Sequence, residues 1–168
     1  MSRIGKQPIK IPAGVEVKLI NEESGKRVLV SGPKGNLERL IRYYVNLEMQ
    51  QDEITVSPNY EVGDEKFVKS MWGLSRQLVN NMVMGVSEGY KIELEVNGVG
   101  FKIAVDGKHT LIMSLGYSHE VIIELPNEVS ACLMNTTNVA LASHDKILLG
   151  EVAANIVATR KRDVYKGK

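Results

Sequence analysis

The chain has 168 residues, 43% hydrophobic and 24% charged, with one cysteine and a formal net charge of +1. This composition excludes a disordered chain, a disulfide scaffold and a collagen-like fibre, and suits one domain or two small ones. The opening MSRIGKQPIKIPAGVEV has no apolar core segment and is punctuated by Pro8 and Pro12, so it reads as neither a secretory signal nor a transit peptide. No run approaches a membrane span, so a soluble chain without membrane insertion is expected. A single cysteine rules out an intrachain disulfide and fits a reducing compartment.

In chain order, residues 15–20 and 27–30 read as strands with a turn at 21–25 between them. SGPKGN at 31–36 is a turn set by Gly and Pro. Residues 37–44 are strand-like, and 53–56 form a short strand ended by Pro58. From Asp64 the period changes. Phe67, Met71, Leu74, Leu78 and Met82 recur at helical spacing, which predicts an amphipathic helix over 64–84 with that face on a sheet. Asp64 is its N-cap, Gly85 its stop, and Trp72 packs in the core or at the helix flank.

Strands resume after Gly89. Residues 90–96 alternate strictly, with Lys91, Glu93 and Glu95 on the polar side. NGVG at 97–100 is a turn or bulge. Residues 101–105 and 110–115 form a hairpin around Asp106 and Gly107. Strands at 120–125, 129–134 and 138–143 follow. Asp145 then caps a second helix, whose apolar stripe is Leu148, Leu149, Val152 and Ile156.

The order is strands and a helix, then strands and a helix. VLVSGPKGNLERL at 28–40 has the layout of LIMSLGYSHEVII at 111–123, and MWGLSRQLV at 71–79 that of LLGEVAANI at 148–156. An internal duplication follows. The fold class expected is α+β, with two duplicated domains at 1–86 and 87–168, each a mostly antiparallel sheet carrying one helix.

Enzyme chemistry finds little support. GVG at 98–100 lacks the third glycine and the helix of a dinucleotide loop, and SGPKG lacks the spacing of a phosphate-binding loop. His109, His119 and His144 form no metal-ligand motif and read as loop residues. Cys132 lies in a strand-like run and is expected to be a buried structural thiol. No enzyme activity, metal or cofactor is expected.

What remains is the C-terminal charge. Residues 160–168 hold Arg160, Lys161, Arg162, Lys166 and Lys168 against Asp163, a net of +4, so the other 159 residues carry −3. Guanidinium and ammonium groups suit phosphate oxygens, Tyr165 can stack on a base, and Gly167 lets backbone approach closely. RNA is the partner this grouping fits. The alternative is a protein-interaction module whose basic tail docks on an acidic partner.

The opening MSRIGKQPIKIPAGVEV, VSGPKGNL, VNGVGFK at 96–102, MSLGYSHEV at 113–121 and LGEVAANIVATRK followed by VYKGK resemble, in this order, segments of the bacterial-type large-subunit ribosomal protein L-six family. The resemblance covers nearly the whole chain. It implies a structural RNA-binding protein of two related α+β domains, without catalysis or a small-molecule substrate, and with no homo-oligomer. It implies that the second domain binds large-subunit ribosomal RNA by the stalk base, the sarcin–ricin loop and the factor-binding region, among neighbouring large-subunit proteins. The family's signature tail maps onto Asp163, Tyr165, Lys166, Gly167 and Lys168. Its glycine turns map onto Gly98 and Gly100, with Lys102 in the same segment, and onto Gly116, Tyr117, Ser118 and His119. Together with Arg160, Lys161 and Arg162 these form the expected rRNA-binding set. Arg162 stands where the family usually has Pro or Ser, and the family tail usually continues past the final lysine with more basic residues. The low net charge and short tail favour a mitochondrial ribosome as the expected compartment, with the bacterial cytoplasm or a plastid as alternatives.

Overall fold

The computed structural model describes residues 3–161. It divides into two compact units, with the boundary between Glu88 and Gly89. The first unit contains β1 (Ile9–Lys10), β2 (Glu16–Glu22), β3 (Gly25–Gly32), β4 (Gly35–Arg42), β5 (Val45–Gln50), β6 (Glu53–Pro58) and α1 (Glu65–Ser87). The second contains β7 (Tyr90–Glu95), β8 (Lys102–Asp106), β9 (Thr110–Ser114), β10 (Val121–Glu124), β11 (Val129–Asn135), β12 (Asn138–Ser143) and α2 (Lys146–Thr159). Every strand pairing is antiparallel. Among the described residues no helix is long and apolar enough to cross a membrane.

The two units repeat each other element for element. The first has sheets ordered β2-β3-β4 and β1-β6-β5; the second has β8-β9-β10 and β7-β12-β11. Individual bonds repeat as well. The N–H of Ile11 donates to Asp52 O at 2.8 Å, and that of Val96 to Thr137 O at 2.8 Å. The N–H of Val15 reaches Pro12 O at 3.2 Å around Gly14 (φ +89), and that of Phe101 reaches Gly98 O at 3.2 Å around Gly100 (φ +79). Both turns place glycine in the left-handed region that a Cβ disfavours. The duplicated α+β architecture expected from the sequence is therefore present.

Each unit has its own core. In the first, Ile9, Val28, Val30, Leu47 and Ile54 point inward from the two sheets onto Val79, Val83 and Val86 of α1. Burying each such side chain contributes about 1.5–3 kcal/mol. In the second, Leu111, Met113, Val139 and Leu141 meet Leu149, Val152, Ala153 and Ile156 of α2. Leu149, Val152 and Ile156 are the stripe that the spacing predicts, and Leu148 is half-buried beside them.

Four expectations differ from the structure. The predicted face of α1 is displaced. Val68, Trp72, Ser75, Arg76, Val79, Met82, Val83 and Val86 are buried, whereas Phe67 and Leu74 are exposed; of the predicted stripe only Met82 is fully buried. The helix carries two apolar stripes about 100° apart, and periodicity alone does not say which one the sheets cover. The helix also runs through Gly85 to Ser87, where the N–H of Glu88 donates to Met84 O at 3.0 Å.

The strand expected over 37–44 stops at Arg42, Tyr43 and Tyr44 make a tight turn, and β5 follows where no strand was expected. Only Val45 and Leu47 of β5 face the core, so its alternation is short. Cys132 is exposed, not buried. Alternation puts Val129 and Ala131 of β11 inward and Cys132 on the opposite face.

Asp145 caps α2 as expected, its Oδ1 accepting from the Ile147 N–H at 2.8 Å. Asp64 occupies the same position before α1 but makes no side-chain capping bond. Asp145→Ala should therefore cost about 1 kcal/mol and lower the thermal midpoint of the second unit by about 4–8 °C. Asp64→Ala should stay within about 0.5 kcal/mol of the parent. Calorimetry of the two variants checks the contrast, and equal losses would contradict it.

Candidate nucleic-acid interface

Two glycine turns and the end of α2 meet around one ring. The turn at 97–100 leads into Phe101, whose ring folds back over Gly98. A Cβ on Gly98 would fall 2.5, 2.7 and 2.9 Å from Cδ2, Cε2 and Cγ of that ring. Gly116, in the turn after β9, has φ +76, and a Cβ there would lie 2.8 Å from Phe101 Cε1. Phe101 is thus held by backbone along two of its edges, and both glycines have a packing reason. Gly100 has open space around it, and its φ of +79 is what calls for glycine. Val99, at the tip between them, is 92% exposed.

The helix end supplies the charge. Arg160 leaves the helix in an extended conformation (φ −136, ψ 110). Its guanidinium lies 5.3 Å from the centre of the Phe101 ring and 4.9 Å from that of Tyr117. Two π faces stabilise a cation electrostatically and restrict its rotamers while leaving its N–H groups free to donate. Tyr117 is fixed in turn, since its hydroxyl donates to Thr159 O at 3.2 Å and its ring stacks on His119 with centroids 6.0 Å apart and planes 17° apart. Ser118 and Lys161 are exposed, and Lys102 projects outward from the start of β8.

Beside this cluster lies a cleft of about 890 Å³ walled by Leu94, Val96, Met113 and Ile156, with Phe101, Arg160 and Lys161. The duplicate explains it. Aligning Val79 with Ile156 places Met82 at Thr159, and α1 runs on to Ser87 where α2 has stopped. In the first unit that extra length seals the same end. Gly32 abuts Val86, and the N–H of Lys34 donates to Val86 O at 3.0 Å.

The structure thus brings together Gly98, Gly116, Tyr117, His119 and Arg160, and leaves Gly100, Lys102, Ser118 and Lys161 on the surface of the same unit. Arg162, Tyr165, Lys166, Gly167 and Lys168 lie outside the described residues. Phe101 was not among the predicted site residues. The available signal was an aromatic directly after a Gly-x-Gly turn, the place where a glycine lets a ring lie on the backbone. His109 is a turn residue whose Nδ1 lies 3.0 Å from Val129 O. Among the described residues no group of His, Cys, Asp and Glu could hold a metal ion. The chemistry available is that of exposed cations and aromatic faces, which suits phosphate and base recognition.

Comparison with known proteins agrees with the duplicated plan. The sequence pattern of the family described as Ribosomal protein L6 matches residues 11–89 and again 97–168. Proteins named large ribosomal subunit protein uL6 are similar along the whole chain. That of Thermomicrobium roseum is 44% identical over 168 residues, covering all of this chain and 88% of its own. Those of Beijerinckia indica subsp. indica and Nostoc punctiforme are 42% identical over the same 168 residues, covering 90% and 88% of their own lengths. The chain belongs to the Ribosomal protein L6 family, whose members are structural ribosomal proteins and not enzymes.

Proposed function

We propose that the protein is a structural constituent of the large ribosomal subunit, and that its second unit binds large-subunit ribosomal RNA through Arg160, Lys161, Lys102 and the turns bearing Gly98, Gly100, Gly116, Tyr117, Ser118 and His119. The observation that carries this reading is the Arg160 guanidinium held between Phe101 and Tyr117 at 5.3 and 4.9 Å. A cation pre-positioned on aromatic faces loses little conformational freedom when it meets a phosphate. The apolar wall of the neighbouring cleft lowers the local dielectric and strengthens that attraction. The proposal extends to Arg162, Tyr165, Lys166, Gly167 and Lys168, and to a place near the stalk base and factor-binding region among other large-subunit proteins. The relatives named above are bacterial, and they lend no support to the mitochondrial compartment expected from the low charge.

The test is binding to large-subunit ribosomal RNA, titrated against salt, together with co-sedimentation with large subunits. The full chain should co-sediment at moderate salt, and its affinity should fall steeply as salt rises. Arg160→Ala and Lys161→Ala should each reduce the slope of log affinity against log salt by about one. A chain that stays in the supernatant, or an affinity indifferent to salt, would overturn the reading. Preferential binding to an acidic protein would favour the interaction-module alternative.

A further inference from the structure

The stripe of α1 that the sheets leave uncovered is itself apolar. Phe67, Met71, Leu74 and Leu78 fall within about 60° of one another around the helix and extend over about 17 Å. Phe67 is 47% exposed and Leu74 51%. The patch continues onto the turn before β5. Tyr44 meets Phe67 edge-on with centroids 5.1 Å apart, and Tyr43 lies 5.3 Å from Tyr44 and is also exposed.

The duplicate provides an internal control. With Met71–Val79 aligned on Leu148–Ile156, the buried positions coincide: Trp72 with Leu149, Ser75 with Val152, Arg76 with Ala153, and Val79 with Ile156. At the uncovered positions the chemistry diverges. Leu74 corresponds to Glu151 and Leu78 to Asn155, both exposed and polar. Met71 corresponds to Leu148, apolar and half-buried in both units, so the divergence lies at positions 74 and 78, where folding does not require leucine. An exposed apolar face that carries leucines the fold does not need, beside Phe67, Met71 and Tyr43, has the composition of a protein interface centre.

Charge identifies the class of partner. None of the four stripe residues is charged. Lys69, two residues from both Phe67 and Met71, stands on the opposite side of the helix, where it is ion-paired with Glu65. RNA needs cations for its phosphates, and this stripe offers none. We propose that the stripe formed by Phe67, Met71, Leu74 and Leu78, with Tyr43 and Tyr44 at its end, docks into an uncharged apolar groove on a neighbouring protein of the same particle. The spacing i, i+4, i+7, i+11 is that of a helix laid into such a groove. The proposal rests on the protein being part of the large subunit.

The experiment places a photo-reactive phenylalanine analogue at Leu74 of the full chain, and separately at Glu151 as a control, in purified large subunits. The products are identified by mass spectrometry. The double variant Leu74→Glu with Leu78→Asn, which copies the second unit, is run in parallel and should keep the parent's thermal unfolding. The expected result is a cross-link from position 74 to apolar residues of another large-subunit protein, absent from position 151, with loss of that neighbour's footprint in the double variant. Cross-linking to RNA, to a second copy of this chain, or to nothing would overturn the proposal while leaving the ribosomal assignment intact. Failure of the unmodified chain to enter large subunits would overturn both.

Discussion

Trp72→Ala is expected to destabilise the first unit by about 3–5 kcal/mol. Trp72 is 7% exposed, and its Nε1–H donates to Val56 O at 2.6 Å. The backbone of Gly5 lies directly against its ring, where a Cβ would fall 2.6–2.9 Å from three ring atoms. Removing the indole leaves a large cavity beneath the N-terminal segment and takes away the hydrogen-bond donor of Val56 O. Partial relief comes only if residues 3–8 collapse inward, and Arg76 opposes this by donating to Gln7 O at 3.1 Å and Pro8 O at 3.3 Å. Denaturant unfolding followed by circular dichroism, with amide exchange assigning the loss to β1–β6 and α1, checks it. The two cores share no residue, so protection in β7–β12 should change little. A loss below about 1 kcal/mol would mean that Trp72 does not fill the space the packing assigns to it.

Gly98→Ala is expected to damage stability and RNA binding together, and a second substitution should separate the two. The added methyl would overlap three atoms of the Phe101 ring, and Gly116 blocks the ring's retreat along another edge. Overpacking of this kind costs about 1–3 kcal/mol. A displaced ring also removes one of the two faces that hold Arg160. In the Gly98→Ala background, Phe101→Leu should restore much of the stability by opening room for the methyl. It should not restore RNA binding, because no aromatic face returns. Calorimetry and RNA titration on the three variants give the answer. If binding recovers with stability, the ring serves packing alone.

How far the sequence alone carried depends on how local each feature is. Asp145 and the stripe from Leu148 to Ile156 are read within one helix, and both stand where the spacing puts them. The duplication is legible because strand order, turns and helix recur in the same sequence. α1 defeats the same reasoning because Phe67, Met71, Leu74 and Leu78 compete on equal terms with Val68, Trp72, Val79 and Val83, and only the sheets decide between them. Cys132 was misplaced for want of knowing that α2 packs on β12 and β7, so that the far face of that sheet stays open. The candidate site was half legible. Its glycines and cations stand out in sequence, but their organiser does not. Phe101 gains its role only when residues 98, 116 and 160, from three separate segments, converge on it.

The strand order of each unit also has a consequence in time. Ile9 pairs with Ile54 and Leu94 with Val139, so the first strand of each unit waits for the last, across a loop of about 45 residues. Local hairpins close within microseconds, whereas long-range closures carry the entropy that slows folding. As the chain is synthesised from its N-terminus, β2 to β4 can zip up early, but β1 stays unpaired until residues beyond 53 have emerged. The first half can then finish its sheets before the second half exists, so two similar sequences gain their strands one after the other and are spared competition for each other's partners.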